Sequence, residues 1–124
     1  MTHGRGVDVV FDPVGGALTE AALRATAWQG RLVVVGFASG TVASVPMNLA
    51  LLKERTIAGV YLGGSIERDP LSNAGNYELL SAWYAEGKTR PVIGQEIGLE
   101  AVPAALARME RREVVGKTVV LPEY

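Results

Sequence analysis

The stretch that decides the fold is RGVDVVFDPVGG, residues 5–16. Val7 to Phe11 is β-branched and mostly apolar, the texture of a strand covered on both faces. The pair Gly15–Gly16 ends it, at the kind of turn where a nucleotide often sits. Yet the G-x-G-x-x-G spacing of a dinucleotide phosphate loop is missing here and everywhere else in the chain.

Working outward, ALTEAALRATAW places Leu18, Ala22, Ala25 and Trp28 on one helical face, and Gly30 stands where a helix C′ glycine belongs. RLVVVGF follows, a second apolar run over Leu32 to Val35 closed by Gly36. Strand, amphipathic helix and strand make a βαβ unit, with parallel pairing and a right-handed crossover expected. After the loop ASGTVASV and Pro46, MNLALLKER reads as a short helix and TIAGVYL as a third strand, Thr56 to Leu62. GGSIERDPLSNAGN reads as loop from its Gly, Ser, Asn and Asp content. A helix from Asn76 carries Leu79, Leu80, Trp83 and Tyr84 and stops at Gly87. RPVIGQEIGL is extended, and a helix from Glu100 to Arg112 tolerates Pro103 in its first turn, with Val102, Leu106 and Met109 as its stripe. KTVVL closes the chain as a strand.

The totals narrow the class. The 124 residues suffice for one domain with a core; 48% are apolar, 20% are charged, and the net charge is −1. A soluble globular chain is expected, and a nucleic-acid binder would be more basic. With no cysteine and a single histidine, His3, thiolate zinc sites, disulfides and cysteine nucleophiles are excluded and no metal site is expected. No apolar run reaches membrane-spanning length and MTHGRG has no secretory character, so a cytoplasmic location is the expectation.

The missing phosphate loop has an explanation in topology. A six-stranded doubly wound nucleotide-binding sheet runs 3-2-1-4-5-6, with the loop on central strand 1. The expected fold is therefore α/β: the second half of a Rossmann-type sheet, strands 4-5-6 over residues 1–62, plus a C-terminal α/β segment over 63–124. Strand 4 then lacks its usual neighbour, and an open apolar edge such as VDVVF invites pairing with another chain. Association, exchange of segments, or origin in a longer protein is expected.

The motifs GVDVVFDPVGG, GRLVVVGFASG, NLALLKERTIAGVYLGG, AEGKTRPVIG and VVGKTVVLP stand in the order and spacing of the C-terminal part of medium-chain dehydrogenases/reductases. The chain most resembles the zinc-independent quinone oxidoreductase branch. The resemblance implies an NAD(P)H-dependent oxidoreductase moving hydride between a nicotinamide and a small carbonyl, enone or quinone substrate. It implies NADP or NAD, with NADP favoured, no zinc in this stretch, a homodimer, and no nucleic-acid or membrane partner. The family's phosphate loop, the residues that read the 2′ position and the whole GroES-like N-terminal domain have no counterpart here. Residues 63–124 would be the return segment of that domain. The resemblance puts Val14 and Gly15 beside the cofactor ribose, Val35, Gly36 and Phe37 at its nicotinamide half, and the backbone of Val60, Tyr61 and Leu62 on the carboxamide. Lys117 matches a basic position near the pyrophosphate. No side chain is marked as catalytic, and this chain alone is expected to be inactive.

Competing readings stand beside these. Read without the resemblance, GFASG is a strand-end turn, and with it a cofactor-side loop; Lys117 is equally a solvated lysine opening an edge strand. GKT at 116–118 is not a P-loop, because Arg111 occupies the position that needs glycine. Tyr84 and Lys88 have the Y-x-x-x-K spacing of short-chain dehydrogenases, with Ser72 upstream, but Gly87 is expected to end the helix before Lys88. Asp8 reads as a strand-start residue and Asp12 as a strand-end turn residue, while Trp28 and Trp83 read as core. A non-catalytic module that associates through its sheet edges is the alternative from another class.

Overall fold

In the computed structural model, which describes residues 2–122, β1 (Val7–Asp12) runs parallel to β2 (Thr26–Val34), and β2 runs parallel to β3 (Thr56–Gly59). The sheet order is β1-β2-β3, so the three apolar runs lie side by side in one direction, as expected of strands 4, 5 and 6. Registers are tight where the strands end: Phe11 faces Val33 and Asp12 faces Val34, while Val33 faces Ala58 and Val34 faces Gly59.

The connection between β1 and β2 is α1 (Leu18–Ala25), and α2 (Asn48–Leu51) precedes β3. One face of the sheet is covered. Leu23, Leu32 and Leu49 are buried together, with Val10, Ala22, Val34 and Val45 packed against them. Alternation along β1 sends Val10 and Asp12 to that side and Val7, Val9 and Phe11 to the other. The second side is open: Val9 is 57% and Phe11 67% exposed. The expectation of strands covered on both faces thus fails within this unit, because α1 and α2 supply one layer only.

Three boundaries differ from the sequence reading. The helical pattern ends at Ala25, not near Gly30, because Thr26 turns extended and its hydroxyl donates to the Leu23 carbonyl at 2.7 Å. The buried helix residues are Thr19 and Leu23, and of the expected face Ala22 packs against the core while Leu18, Ala25 and Trp28 are exposed. Trp28 and Gly30 belong to β2, where Gln29 adopts φ +53 and the pairing with β1 slips between Val7 and Val9. Trp28 is 60% exposed there and is not core.

The third strand is shorter than expected and stops at Gly59. Residues expected as loop form α3 (Leu62–Arg68) and the start of α4 (Pro70–Ala85). Pro70 opens α4 without cost, since a first-turn residue needs no N–H donor. Glycine and asparagine content misled here.

The chain divides into two compact units, one up to Pro70 and one from Leu71. In the second, β4 (Ile93–Ile97) pairs in parallel with β5 (Lys117–Val120). A 3₁₀ turn at Leu99–Ala101 leads into α5 (Val102–Glu110), with Pro103 in its first turn. Ala105 is the buried residue of α5, whereas Leu106 and Met109 stay exposed. α4 buries none of its side chains, so Trp83 is not core either. Among the described residues no helix is long and apolar enough to cross a membrane.

Candidate functional site

The carboxyl ends of β1, β2 and β3 meet at one rim, the position at which open parallel sheets take their ligands. An open cavity of about 530 Å³ lies there, lined by Val34, Val35, Gly36, Phe37, Gly59, Val60 and Tyr61. Val14 and Gly15 follow β1 next to it, and Leu62 begins α3. Eight of the nine residues singled out from the sequence therefore sit on one end of one sheet. Lys117, the ninth, opens β5 in the second unit, exposed, with its N–H donating to the Val92 carbonyl at 2.7 Å.

Backbone hydrogen bonds tie the rim together. Val35 N–H donates to the Asp12 carbonyl at 2.9 Å, Ala38 N–H to Pro13 at 3.1 Å, and Ser39 N–H to Val14 at 2.9 Å. The segment after β2 is thus sewn onto the segment after β1. Glycine is required where they touch: a Cβ on Gly15 would lie 2.6 Å from the Phe37 ring, with φ already at +69°. On the other side, Val60 N–H donates to the Val34 carbonyl at 2.9 Å. The Tyr61 carbonyl accepts from both Ser65 N–H and Ser65 Oγ, at 3.0 and 3.1 Å. Of the backbone groups expected on a carboxamide, the Val60 carbonyl and the N–H groups of Tyr61 and Leu62 remain uncommitted among the described residues. That is one acceptor beside donors, the complement of a primary amide.

The Tyr61 ring folds over the first turn of α3. A Cβ on Gly64 would come within 2.7 Å of it, so Gly63 and Gly64 make room for the ring of Tyr61, which lines the cavity along with Phe37. Both rings are exposed, Phe37 at 45% and Tyr61 at 75%.

Asp12 is the residue whose part the sequence understated. It is 6% exposed, and Oδ1 accepts from Val14 N–H and Gly15 N–H, each at 2.9 Å. Oδ2 accepts from the Thr19 hydroxyl at 2.7 Å. The Gly15 N–H first, then the Thr19 hydroxyl and Val14 N–H, hold its pKa below the ordinary aspartate value against the opposing effect of burial. A turn residue was expected; a buried carboxylate with three donors was not. Asp8, by contrast, is a surface partner of Arg5.

Tyr84 and Lys88 do not form an acid–base pair. α4 ends at Ala85, Gly87 takes φ +72, and the Lys88 ammonium pairs with Glu86 at 2.5 Å. The lysine lies past the helix rather than one turn along it. Among the described residues no three His, Asp or Glu side chains are placed to hold a metal ion.

The chain is similar to known proteins along nearly its whole length. A family model described as zinc-binding dehydrogenase matches residues 1–120. The chain is 40% identical over 115 residues to quinone oxidoreductase-like protein 2 of Bos taurus, covering 93% of this chain and 33% of that protein. A quinone oxidoreductase from Pseudomonas syringae superposes with a TM-score of 0.80 at 25% identity, over 98% of this chain and 37% of the other. A mycobacterial protein solved in complex with NADPH superposes with a TM-score of 0.78 at 27% identity, over 98% and 37%. The chain spans about a third of the length of these relatives and matches their C-terminal part. The zinc of the family description finds no fitting ligand set among the described residues.

Proposed function

Because this chain belongs to the zinc-binding dehydrogenase family, within the medium-chain dehydrogenase/reductase superfamily, we propose that its strand-end rim is the nicotinamide side of a dinucleotide site. The whole protein then moves hydride between NADP(H), favoured over NAD(H), and a small carbonyl, enone or quinone. One observation carries this reading: the ends of β1, β2 and β3 converge on a cavity lined by Phe37 and Tyr61, whose backbone offers a carbonyl and N–H groups.

When bound, the nicotinamide supplies the hydride. The chain's own part is placement. Val60 C=O with Tyr61 and Leu62 N–H would take the carboxamide and fix which ring face is presented. Val14, Gly15, Val35 and Gly36 would let the backbone approach the ribose and ring closely. Phe37 and Tyr61 would exclude water from the flanks. Lys117 lies in the second unit, and its pyrophosphate role rests on the family resemblance alone, with a compact charge suited to a phosphate oxygen. No residue here is given a proton-transfer role, and the return-segment role of residues 63–124 is part of the same proposal.

Amide chemical-shift mapping of the 124-residue chain with NADPH tests the reading. Saturable shifts at Gly15, Gly36, Phe37, Tyr61 and Leu62 are expected; their absence, or shifts confined to other parts of the chain, overturns it.

A second reading rests on a separate observation. The outer edge of β1 carries no partner strand among the described residues and its open face shows Val7, Val9 and Phe11, while the outer edge of β3 is likewise unpaired. Such edges favour a homodimer or another sheet-to-sheet association.

A further inference from the structure

We propose that Asp12 is the positioning residue of this rim, setting through its carboxylate where both cofactor-facing segments stand. The inference rests on the reading of the rim as a dinucleotide site. Its basis is a chain of contacts that begins at one buried side chain. Oδ1 gathers the N–H groups of Val14 and Gly15, and so holds Gly15 and Gly16 in consecutive left-handed conformations, φ +69 and +64. Oδ2 accepts from the Thr19 hydroxyl in the first turn of α1, a contact separate from the two that Oδ1 makes to the turn. The main chain of Asp12 accepts from Val35 N–H, at the residue where β2 leaves the sheet. The held turn then passes its position on. Pro13 and Val14 carbonyls accept from Ala38 and Ser39, and the Gly15 Cα sits against the Phe37 ring with no space for a methyl group between them. Two segments from different strands thus share one reference point. That point is a charged acceptor, whose bonds are shorter and stronger than a neutral group would make.

Such a residue touches no ligand and acts by fixing those that do. A merely structural aspartate would cost affinity only in proportion to lost stability, whereas a positioning one costs affinity beyond it. The test compares NADPH affinity, by isothermal titration calorimetry, with melting temperature in variants of the 124-residue chain. Asp12→Ala is expected to weaken NADPH by more than about ten-fold, the loss of at least one charge-assisted bond. Asp12→Asn keeps a carbonyl in place for the same two N–H groups and should restore affinity to within about three-fold of the wild type. Thr19→Val removes only the Oδ2 contact; it should lower the melting temperature yet stay within about two-fold in affinity. Asp12→Glu keeps the charge but shifts the acceptors by a methylene, and should again lose about ten-fold, giving an independent reading if the alanine variant does not fold. Wild-type affinity in Asp12→Ala or Asp12→Glu, or affinity that falls in step with melting temperature across all variants, overturns the inference alone. A wild-type chain with no saturable NADPH binding overturns the dinucleotide reading and this inference with it.

Discussion

Gly15 and Asp12 show how much a single residue decides at the rim. An alanine at position 15 meets two separate penalties: a left-handed φ of +69° and a Cβ 2.6 Å from the Phe37 ring and 3.1 Å from the Thr41 carbonyl. The backbone penalty alone is about 1–2 kcal/mol. Gly15→Ala should lower the melting temperature and move the Phe37 ring resonances, with no such movement in Gly75→Ala, where φ is not positive and a Cβ meets nothing within 4 Å. Asp12 sets a pH dependence. Its native pKa lies below the unfolded value, so its contribution is fully present above the ordinary aspartate pKa. It is lost as pH falls through that value and on through the lower native one. Asp8 and Glu113 are shifted the same way by surface arginines, so the signal is the difference between wild type and Asp12→Asn. Urea unfolding from neutral to acid pH should show that difference shrinking; a constant gap would refute the assignment. Neither feature could be read from the residues. Asp-Pro-x-Gly-Gly announces a turn, but not that the aspartate is enclosed or that a phenylalanine from the next strand closes on the glycine.

Elements were legible where the pattern was continuous, and misread where two patterns overlapped. VDVVF and LVVV can hardly be anything but strands in a chain with helical spacing between them. Thr26 to Gly30 failed because helical spacing happens to persist past Ala25 while the main chain has already turned extended. Arg55 explains how that short helix is held. It is 9% exposed, and its guanidinium donates to the carbonyls of Leu49 at 2.9 Å, Arg24 at 3.1 Å and Thr26 at 2.9 Å. It thereby joins the C-terminal ends of α1 and α2 to the start of β2, where carbonyls left over by the helices need donors. Its Nε is buried and has no hydrogen-bond partner among the described residues. Arg55→Met should destabilise the first unit by about 3 kcal/mol, since several buried carbonyls lose their donor together; chemical denaturation within about 0.5 kcal/mol of wild type would contradict the staple. In the second unit the matching weak point is Gly94. A Cβ there would collide with the Val115 carbonyl, at the irregularity where β4 meets β5. Gly94→Ala should break that ladder, seen as rapid hydrogen exchange of the Gln95 and Ile97 amides.

At the scale of the molecule, the parallel order β1-β2-β3 and the family were both readable in advance, because motif order carries topology even when individual boundaries slip. The site residues were another matter. Periodicity marked none of them, and only the family resemblance assigned them to a cofactor; the structure brings eight together at one rim. The open face of the first unit leads to a prediction about association. Sedimentation equilibrium should show concentration-dependent self-association, weakened by Val9→Thr with Phe11→Thr, which remove the exposed apolar surface while keeping strand propensity. A wild-type chain monomeric at all concentrations would end the second reading.

The misplaced tryptophans have a use of their own. Trp28 stands on β2 in the unit up to Pro70, and Trp83 on α4 in the unit from Leu71, and the chain has no others. Each half therefore carries its own intrinsic fluorophore. Trp28→Phe and Trp83→Phe would turn one polypeptide into two single-colour reporters, and non-coincident emission transitions between them would show the halves melting independently.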